Sequence, residues 1–258
     1  MSWYISASRS RLATALAAVA AVSLMLSGCS SYDAISPREA RDDARPKAQV
    51  VKTARVDCAK ARCIALTFDA GPSEDTPRLL DTLQREKVPA TFFLLGKNHV
   101  RAHPDVVRRM AREGHEIANH TWTHKRLTDL DADGIREELS RTQDAIEAIT
   151  GRRPTLMRPP QGRTDDKVAE VSRDLGLAQI LWSATAKDYS TTDSALIERR
   201  VLDQADRDGI ILLHDIYAGT VPAVPGIIEK LKKRGYTLVT VPQLLAPGHA
   251  EPGKVYKP

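Results

Sequence analysis

Residues 63–72 read CIALTFDAGP, and this stretch is the strongest indication of the fold. The run from Ile64 to Phe68 is too short for a typical helix and ends at a Gly-Pro turn, which predicts a buried strand. Asp69 follows directly, and a carboxylate at the end of a buried strand needs a partner, because an unpaired buried charge costs several kcal/mol. Asp69 is therefore either a cap on the turn or a general base held by a cation.

Six more apolar runs follow, and amphipathic segments separate them. The predicted strands are residues 63–68, 91–95, 115–118, 155–158, 178–182, 210–214 and 236–240. A helix is predicted after each of the first six strands, and the one from about residue 131 to 150 carries a single apolar stripe. Repeated strand–helix units predict parallel strands, either in a barrel or in a doubly wound sheet. In both arrangements the functional side chains belong at the carboxyl ends of the strands.

Polar clusters lie at those strand ends. They are Asp69 in TFDAGP (67–72), His120 and His124 in HTWTH (120–124), Arg158 in RPPQG (158–162), Asp188 in WSATAKDY (182–189) and His214 in LLH (212–214). Each residue alone has a structural explanation, such as a turn cap or a satisfied core histidine. Their shared position at one rim favours a functional explanation.

His120 and His124 are spaced so that a helical turn between them would bring the two imidazoles together. Two histidines on one face are a usual start for a zinc site, although exposed histidine pairs also arise by chance. The remaining histidines have no such spacing and are predicted to be surface or packing residues. They are His99, His103, His115 and His249.

The other four polar residues are those that acid–base catalysis needs. They are Asp69, Arg158, Asp188 and His214. Arg158 is the cation expected to hold Asp69 as a base. The imidazole of His214 can donate a proton to a leaving group, and Asp188 can orient that ring and raise its pKa. A base, an acid, a partner for each and two metal ligands match metal-assisted hydrolysis of an amide or an ester.

From about residue 58 to 245, the five motifs resemble, in order, those of the NodB-homology polysaccharide deacetylases, carbohydrate esterase family four. TFDAGP is similar to the family's TFDDGP, HTWTH to H-[ST]-x-x-H, RPPQG to Arg-x-Pro-Tyr, WSATAKDY to D-x-x-D-W, and LLH to L-x-H. The resemblance implies an α/β fold, a distorted (β/α)7 barrel. It also implies a divalent metal, often zinc, and a groove for an acetylated glycan across the strand ends.

The resemblance assigns a role to residues of each motif. The catalytic residues would be Asp69 as general base, Arg158 as its brace, His214 as general acid and Asp188 as its partner. The metal ligands would be His120 and His124. The substrate-binding residues would be Gln161 (through its backbone N–H), Leu212, Tyr189 and Trp182.

The first motif departs from the family at Ala70, where the family has a third metal ligand. A methyl group cannot coordinate a cation, and catalytic zinc sites usually keep three protein ligands. Asp69, a water or a group from elsewhere could fill the place, and the sequence leaves this open. Milder departures are Gln161 for the family's Tyr, Thr185 for its first Asp of the fourth motif, and Tyr189 for its Trp.

The first 28 residues predict export. Arg9 and Arg11 precede an uncharged apolar run that is shorter than the ~20 residues of a membrane-spanning helix. The end of that run, Leu-Ser-Gly-Cys at 26–29, resembles a bacterial lipobox. Residues 1–28 are therefore predicted to be a lipoprotein signal peptide, with Cys29 anchoring the protein to the outer face of the bacterial cytoplasmic membrane or to the cell envelope. A plain signal peptide with an incidental cysteine is the alternative.

The rest of the chain is divided by composition. Residues 29–55 are predicted to be a flexible spacer, residues 56–245 the deacetylase domain, and residues 246–258 a loose tail. In an exported protein, the close pair Cys58 and Cys63 favours a disulfide over a metal clip. The net charge is +5 and falls by two when the signal peptide is removed, which suits an anionic cell wall and is far from the signature of nucleic-acid binding.

The predicted function is removal of acetyl groups from an N-acetylated polysaccharide. A membrane anchor favours peptidoglycan, while chitin-like glycan and acetylated xylan stay open because groove loops set that choice. A non-catalytic carbohydrate-binding lipoprotein is the alternative: Ala70 favours it, and the intact acid–base set favours the enzyme. A protein–protein scaffold has no sequence feature of its own.

Overall fold

The structure, a computed structural model, describes Met1, residues 32–44 and residues 56–258. Residues from Tyr32 onward form one compact unit. The predicted signal peptide and the lipidation site at Cys29 lie outside the described residues, so both stay predictions. Among the helices that are described, none combines the length and apolar character needed to cross a membrane.

Ten parallel-paired strands form one curled sheet in the described part of the chain. They are β1 Ala34–Ile35, β2 Arg62–Asp69, β3 Thr91–Leu94, β4 Glu116–Asn119, β5 Leu156–Met157, β6 Ala178–Ile180, β7 Ala184–Thr185, β8 Ile210–His214, β9 Tyr236–Val239 and β10 Val255–Tyr256. Their order is β1-β10-β6-β5-β4-β3-β2-β8-β7, with β9 beside the first half of β2. Because β7 and β1 end this path, the sheet is a partial barrel rather than a closed one.

Helices pack around the sheet, and each of the first six predicted strands is followed by one, as expected. They are α1 Pro37–Ala44, α2 Thr76–Glu86, α3 Pro104–Arg112, α4 Ala132–Thr150, α5 Asp166–Asp174, α6 Ser194–Gln204, α7 Thr220–Lys233 and α8 Val241–Leu245. Asp131 begins α4 by accepting a hydrogen bond from the Gly134 N–H at 2.8 Å. Such caps satisfy N–H groups that the first helical turn leaves unpaired.

The alternation of side chains along β2 places Asp69. Ile64, Leu66 and Phe68 point outward into the main core cluster between the sheet and the helices. Successive side chains of a strand point to opposite faces, so Thr67 and Asp69 point into the interior of the curled sheet. The outward face supplies apolar burial, and the inward face is left for polar groups at the carboxyl end.

The prediction of a loose tail at residues 246–258 was wrong. β10 lies between β1 and β6, and Val255 and Tyr256 are only 4% and 1% exposed. The N–H of Leu181 donates to the Tyr256 carbonyl at 2.9 Å. Without β10, β6 would present unpaired backbone groups at an edge. The proline and glycine content of this segment reflects the turns that lead into β10.

The predicted flexible spacer was also wrong for residues 32–44, which form β1 and α1. The buried guanidinium of Arg41 donates to Asp208 Oδ2 at 2.7 Å and to the Leu244 carbonyl at 2.7 Å. The sequence shows no apolar period here because a buried cation, rather than an apolar stripe, holds α1. Residues 45–55 lie outside the described residues.

Cys58 and Cys63 form the predicted disulfide, so the metal-clip alternative is excluded. Replacement of both by alanine is expected to lower the free energy of unfolding by at least about 2 kcal/mol, the loop-closure value for a ring this short. The pair lies at the amino end of β2, far from Asp69 at its carboxyl end, so activity at low temperature should be unchanged. Urea unfolding of wild type and variant measures the difference. Coincident unfolding curves would contradict the prediction.

Candidate active site

Arg158 holds Asp69 inside the curled sheet. Its side chain is fully buried, and its Nη1 donates to Asp69 Oδ1 at 2.6 Å and to Thr67 Oγ1 at 2.8 Å. Its Nε donates to the Ile180 carbonyl at 3.0 Å, and the guanidinium lies 4.0 Å from the centroid of the Phe93 ring. The base and the cation proposed from the sequence are therefore in direct contact.

His120 and His124 also meet, with ring centroids 4.9 Å apart and ring planes at 62°. The expected helical turn between them was wrong, because no helix covers this segment. Instead, Thr121 and His124 have left-handed backbone angles, with φ of 74° and 65°. This conformation turns the chain sharply enough to bring the two rings together. It is uncommon for residues other than glycine and clusters at functional sites.

The carboxylate of Glu138, on α4, holds this strained turn in place. Its Oε2 accepts hydrogen bonds from the backbone N–H groups of Trp122 and Thr123 at 3.0 and 2.8 Å. Its Oε1 accepts a third from the Thr123 hydroxyl at 2.5 Å. Glu138 is 6% exposed. This role could not be anticipated from the sequence, because Glu138 lies within an ordinary amphipathic helix.

The surroundings of both histidines favour the neutral imidazole. The Nδ1 of His120 lies 2.8 Å from the Arg158 carbonyl, which can only accept, so Nδ1 donates and Nε2 keeps a free lone pair. That Nε2 is 3.8 Å from Asp69 Oδ2. Burial lowers the pKa of His120 to about 4, and burial also lowers the pKa of His124. Neutral imidazole is the form that binds a metal ion.

Asp188 orients His214 through two hydrogen bonds and is itself held by a third. The His214 Nδ1 donates to Asp188 Oδ1 at 2.8 Å, and its backbone N–H donates to Oδ2 at 2.7 Å. The Thr220 hydroxyl also donates to Oδ2, at 2.8 Å. Burial lowers the pKa of His214, but the hydrogen bond to Asp188 and the charges of Asp69 and Asp188 outweigh it, so the pKa is raised. The raised pKa favours the protonated imidazole, which is the form that can donate a proton.

Asp69 and His214, the predicted base and acid, are neighbours across two adjacent strands. Asp69 at the end of β2 is in register with His214 at the end of β8. Neighbouring strands lie about 4.8 Å apart, and both side chains point to the inner face. Leu212, two residues before His214 on β8, points to the same face and is 6% exposed.

The other predicted substrate-binding residues lie around this pair. Tyr189 is 59% exposed, and its ring centroid lies 6.4 Å from that of His214. Trp182 is partly buried beside Arg158, 5.6 Å from its guanidinium, and is covered by the RPPQG turn. Gln161, in that turn, has a left-handed φ of 60° and accepts a hydrogen bond from Arg126 Nε at 2.7 Å.

Three further residues lie near the site, and their positions could not be anticipated from the sequence. Asp215, next to His214, is fully buried against the Cα of Gly71; its Oδ2 accepts from the Thr76 hydroxyl, and burial raises its pKa to about 6. The ring centroid of Tyr217 lies 5.4 Å from that of His214. His99, expected to be an isolated surface or packing residue, is half-buried and bonded to the TFDAGP turn. None belongs to a recognisable motif, so only the three-dimensional fold reveals them.

The charges of the site fit a divalent cation. Asp69, Asp188 and Asp215 are each at most 2% exposed, and the positive groups facing them are Arg158 and His214. Asp215 Oδ1 has no hydrogen-bond partner among the described residues. Buried carboxylates in excess of buried cations favour binding of a further positive charge.

The number of protein ligands is one short of the usual catalytic zinc site. Ala70 is 5% exposed with a φ of 67°, and its N–H donates to the Phe93 carbonyl at 3.0 Å. Its methyl group offers no donor. As the side chains stand, the described part of the chain holds no group of three or more His, Cys, Asp or Glu residues arranged to bind a metal ion. Of the predicted metal ligands, the site therefore retains the side chains of His120 and His124.

Comparison with known proteins agrees with the motifs. The model of the family "Polysaccharide deacetylase" matches residues 57–180. The peptidoglycan-N-acetylglucosamine deacetylase PgdA of Listeria monocytogenes is 39% identical over 196 residues, which cover 75% of this chain and 41% of that protein. The chitooligosaccharide deacetylase of Rhizobium leguminosarum bv. trifolii is 38% identical over 197 residues, which cover 70% of this chain and 91% of that protein. This chain spans about two fifths of the length of the first relatives that it matches.

Solved structures show the same fold. A structure described as "T48 deacetylase with substrate" has a TM-score of 0.75 and 44% identity, covering 78% of this chain and 99% of that one. A mutant of BA3943, described as a CE4 family pseudoenzyme with restored enzymatic activity, has a TM-score of 0.68 and 30% identity. The match covers 72% of this chain and 68% of that one. The curled parallel sheet, the five motifs at its rim and these relatives together establish that this chain belongs to the polysaccharide deacetylase family.

Proposed function

We propose that this chain is a metal-dependent hydrolase that removes acetyl groups from an N-acetylated glycan. The observation that carries the proposal is the register of β2 and β8, which sets Asp69 beside His214. Asp69 is held by Arg158 and His214 by Asp188, so a base and an acid with separate partners face one interior. A carboxylate and an imidazole placed side by side, each with its own partner, are typical of acid–base catalysis.

In this mechanism Asp69 accepts a proton from a water molecule, and the water oxygen attacks the carbonyl carbon of the acetamide. Arg158 holds the Asp69 carboxylate in place through the hydrogen bond from its Nη1. The Nδ1–H of His214 donates a hydrogen bond to Asp188, and the proton that reacts is carried on Nε2. His214 gives this Nε2 proton to the sugar nitrogen as the C–N bond breaks. The products are acetate and a free amine on the sugar.

A divalent cation, zinc in our proposal, would be held by His120 and His124 and would supply Lewis-acid polarisation of the acetyl carbonyl. The backbone N–H of Gln161 would contribute a hydrogen bond to the oxygen as it gains charge. Leu212 and Tyr189 would enclose the acetyl methyl group, since one is buried on the inner face and the other stands at the rim.

Peptidoglycan is the proposed substrate. The names of PgdA and of the related Bacillus subtilis PdaC give peptidoglycan as their substrate, and the lipobox-like sequence at Cys29 supports an anchor at the membrane, close to the wall. Chitin-like oligosaccharide is the second substrate class, as the name of the Rhizobium relative indicates. The exported, lipid-anchored location is part of the same proposal and rests on the sequence alone.

Acetate release by residues 32–258 tests the proposal. We expect acetate from peptidoglycan, chitooligosaccharide or both, loss of release with a chelator, and its return with added zinc or cobalt. Acetylated xylan, an ester, distinguishes amide from ester hydrolysis. No acetate from any of these glycans with any added metal would contradict the enzymatic proposal.

A non-catalytic glycan-binding protein is the second candidate, and Ala70 favours it. The chain shares its fold with BA3943, which is described as a CE4 family pseudoenzyme. Glycan binding measured by calorimetry, with no acetate release under any metal, would support this candidate.

Replacement of Asp188 by asparagine is expected to shift the alkaline limb of the pH–activity profile to lower pH. His214 acts while protonated, and its pKa is raised by Asp188, so protonation is lost as pH rises through that pKa. Asparagine keeps the shape and removes the charge, which lowers the pKa of His214. kcat/KM measured across pH for wild type and variant tests this.

The matched control for that experiment is replacement of Asp203, an exposed aspartate on α6, by asparagine. Its profile should overlay that of the wild type. An alkaline limb that stays in place in the Asp188 variant would show that another group, and not His214, sets it.

A further inference from the structure

Arg126 links two loops at the rim of the site. It lies two residues after His124, on the loop that follows β4, and its Nε donates to Gln161 Oε1 at 2.7 Å. Gln161 lies in the RPPQG turn, which follows β5. The hydrogen bond joins residues 35 positions apart along the chain, and Arg126 belongs to none of the five motifs. The link is therefore a feature of this chain that the motifs do not predict.

The same two segments are also joined deeper in the fold. His120 Nδ1 donates to the Arg158 carbonyl at 2.8 Å, and the Arg158 N–H donates to the Asn119 carbonyl at 2.9 Å. These contacts are buried at the strand ends, whereas Arg126 and Gln161 are exposed at the rim. The segment that carries the two histidines and the turn that carries Gln161 are thus connected at two depths.

The RPPQG turn has a backbone conformation that its surroundings must hold. Gln161 has φ 60° and ψ 13°, and a left-handed residue other than glycine costs about 1–3 kcal/mol. On the inner side, the Gly162 N–H donates to the Pro159 carbonyl at 2.9 Å. Gly162 also packs on Trp182 so closely that a Cβ would lie 2.9 Å from the indole ring. On the outer side, Arg126 holds the Gln161 side chain.

A hydrogen bond between two exposed side chains contributes little to the stability of the whole fold, because water competes for both groups. Its local effect is different, since the backbone N–H of Gln161 is the group proposed to bind the oxygen that gains charge. Such donors must be held within about 0.5 Å of the productive geometry. A misplacement of about 1 Å can cost about 10²-fold in rate. The contact can therefore matter for the reaction while mattering little for folding.

We propose that Arg126 is a positioning residue for the reaction. By donating to the Gln161 side chain, it holds the Gln161 backbone N–H at the place where the oxyanion forms. This inference rests on the proposed function. The glutamine that replaces the family's tyrosine at position 161 supplies the acceptor for this contact. In this role Arg126 touches no reacting atom and acts only through Gln161.

A double-mutant cycle in the protein of residues 32–258 tests the inference by acetate release from peptidoglycan and chitooligosaccharide. Arg126→Met removes the donor, and Gln161→Met removes the acceptor but keeps the backbone N–H. Each variant should lower kcat by about 3–10-fold, less than the 10²–10³-fold cost of deleting an oxyanion donor. KM should change by less than about 2-fold, because the contact acts in the transition state. The double variant should lose no more than either single one, since both break the same contact.

NMR relaxation of the Gln161 amide gives a second readout that needs no activity. The wild type should have an order parameter of about 0.85, typical of a rigid backbone, and Arg126→Met should fall toward about 0.6. Relaxation dispersion on the same samples detects slower motion. The matched control is Arg163→Met, which removes an exposed arginine from the same turn. This control should match the wild type in kcat and in the order parameter of Gln161.

A Gln161→Met variant that keeps the wild-type kcat would overturn the inference, because Arg126 would then not act through Gln161. Single losses that add up in the double variant would do the same, as would a Gln161 amide that is unchanged in Arg126→Met by both NMR measurements. If the wild type releases acetate and the variants match it, only this inference fails. If the wild type releases no acetate with any metal, the proposed function fails and the inference fails with it.

Discussion

Replacement of Asp69 by asparagine is expected to lower kcat/KM for acetate release by about 10²–10⁴-fold, the usual contribution of a general base. Asparagine has nearly the same shape, and its carbonyl can still accept the hydrogen bond that Arg158 Nη1 gives at 2.6 Å. It cannot take a proton from water at neutral pH. Rates measured with saturating zinc separate the loss of the base from any change in metal binding.

The matched control for this experiment is replacement of Asp81 by asparagine. Asp81 is also paired with an arginine, Arg109 at 2.7 Å, but its side chain is 63% exposed. This variant should keep wild-type activity. An Asp69 variant that retains more than a tenth of the wild-type rate would show that another group removes the proton from water.

Replacement of Arg158 by methionine is expected to lower the free energy of unfolding by about 3–5 kcal/mol, because it leaves the carboxylate of Asp69 buried without its partner. Asp69 is 2% exposed, so water can replace little of the lost interaction. Methionine fills much of the same volume beside Phe93 and Trp182, which limits the contribution of a cavity. Urea unfolding at neutral pH measures the difference.

Two further variants show whether the loss of stability comes from breaking the buried Asp69–Arg158 pair. Arg153 pairs with Asp144 and Glu147 on the surface, and its replacement by methionine should cost no more than about 1 kcal/mol. The double variant Asp69→Asn with Arg158→Met has no unpaired buried charge and should be more stable than Arg158→Met alone. If the double variant loses the sum of the two single effects, the coupling between Asp69 and Arg158 is not what stabilises this interior.

Seven of the ten described strands could be predicted from the sequence because their residues are strongly patterned. β8 was placed at its observed bounds, and β2 within one residue at each end, since short apolar runs end there in polar residues. The pairs Asp69–Arg158 and His214–Asp188 were also anticipated, because strand ends in a parallel sheet converge at one edge. Each of these buried charged groups also needs a partner, because an unpaired buried charge costs several kcal/mol.

Other features depend on long-range contacts that leave no local pattern. α1 is held by Arg41 through Asp208, which lies 167 residues away along the chain. β10 is paired with β6 although its segment is rich in proline and glycine. The turn at HTWTH is left-handed because Glu138 satisfies its N–H groups, and nothing in the five residues themselves predicts that. His99 belongs to the same class of feature, since its partner is a carbonyl on another loop.

Zinc-edge anomalous diffraction from crystals soaked in zinc decides whether His120 and His124 hold a divalent cation in this site. We expect one strong peak about 2.0–2.1 Å from the Nε2 of His120 and from a ring nitrogen of His124, close to Asp69 and His214. The same map shows whether a third protein ligand completes the site. A map without a peak between those two imidazoles, or with zinc bound only at histidines elsewhere on the chain, would show that these two residues do not form the metal site.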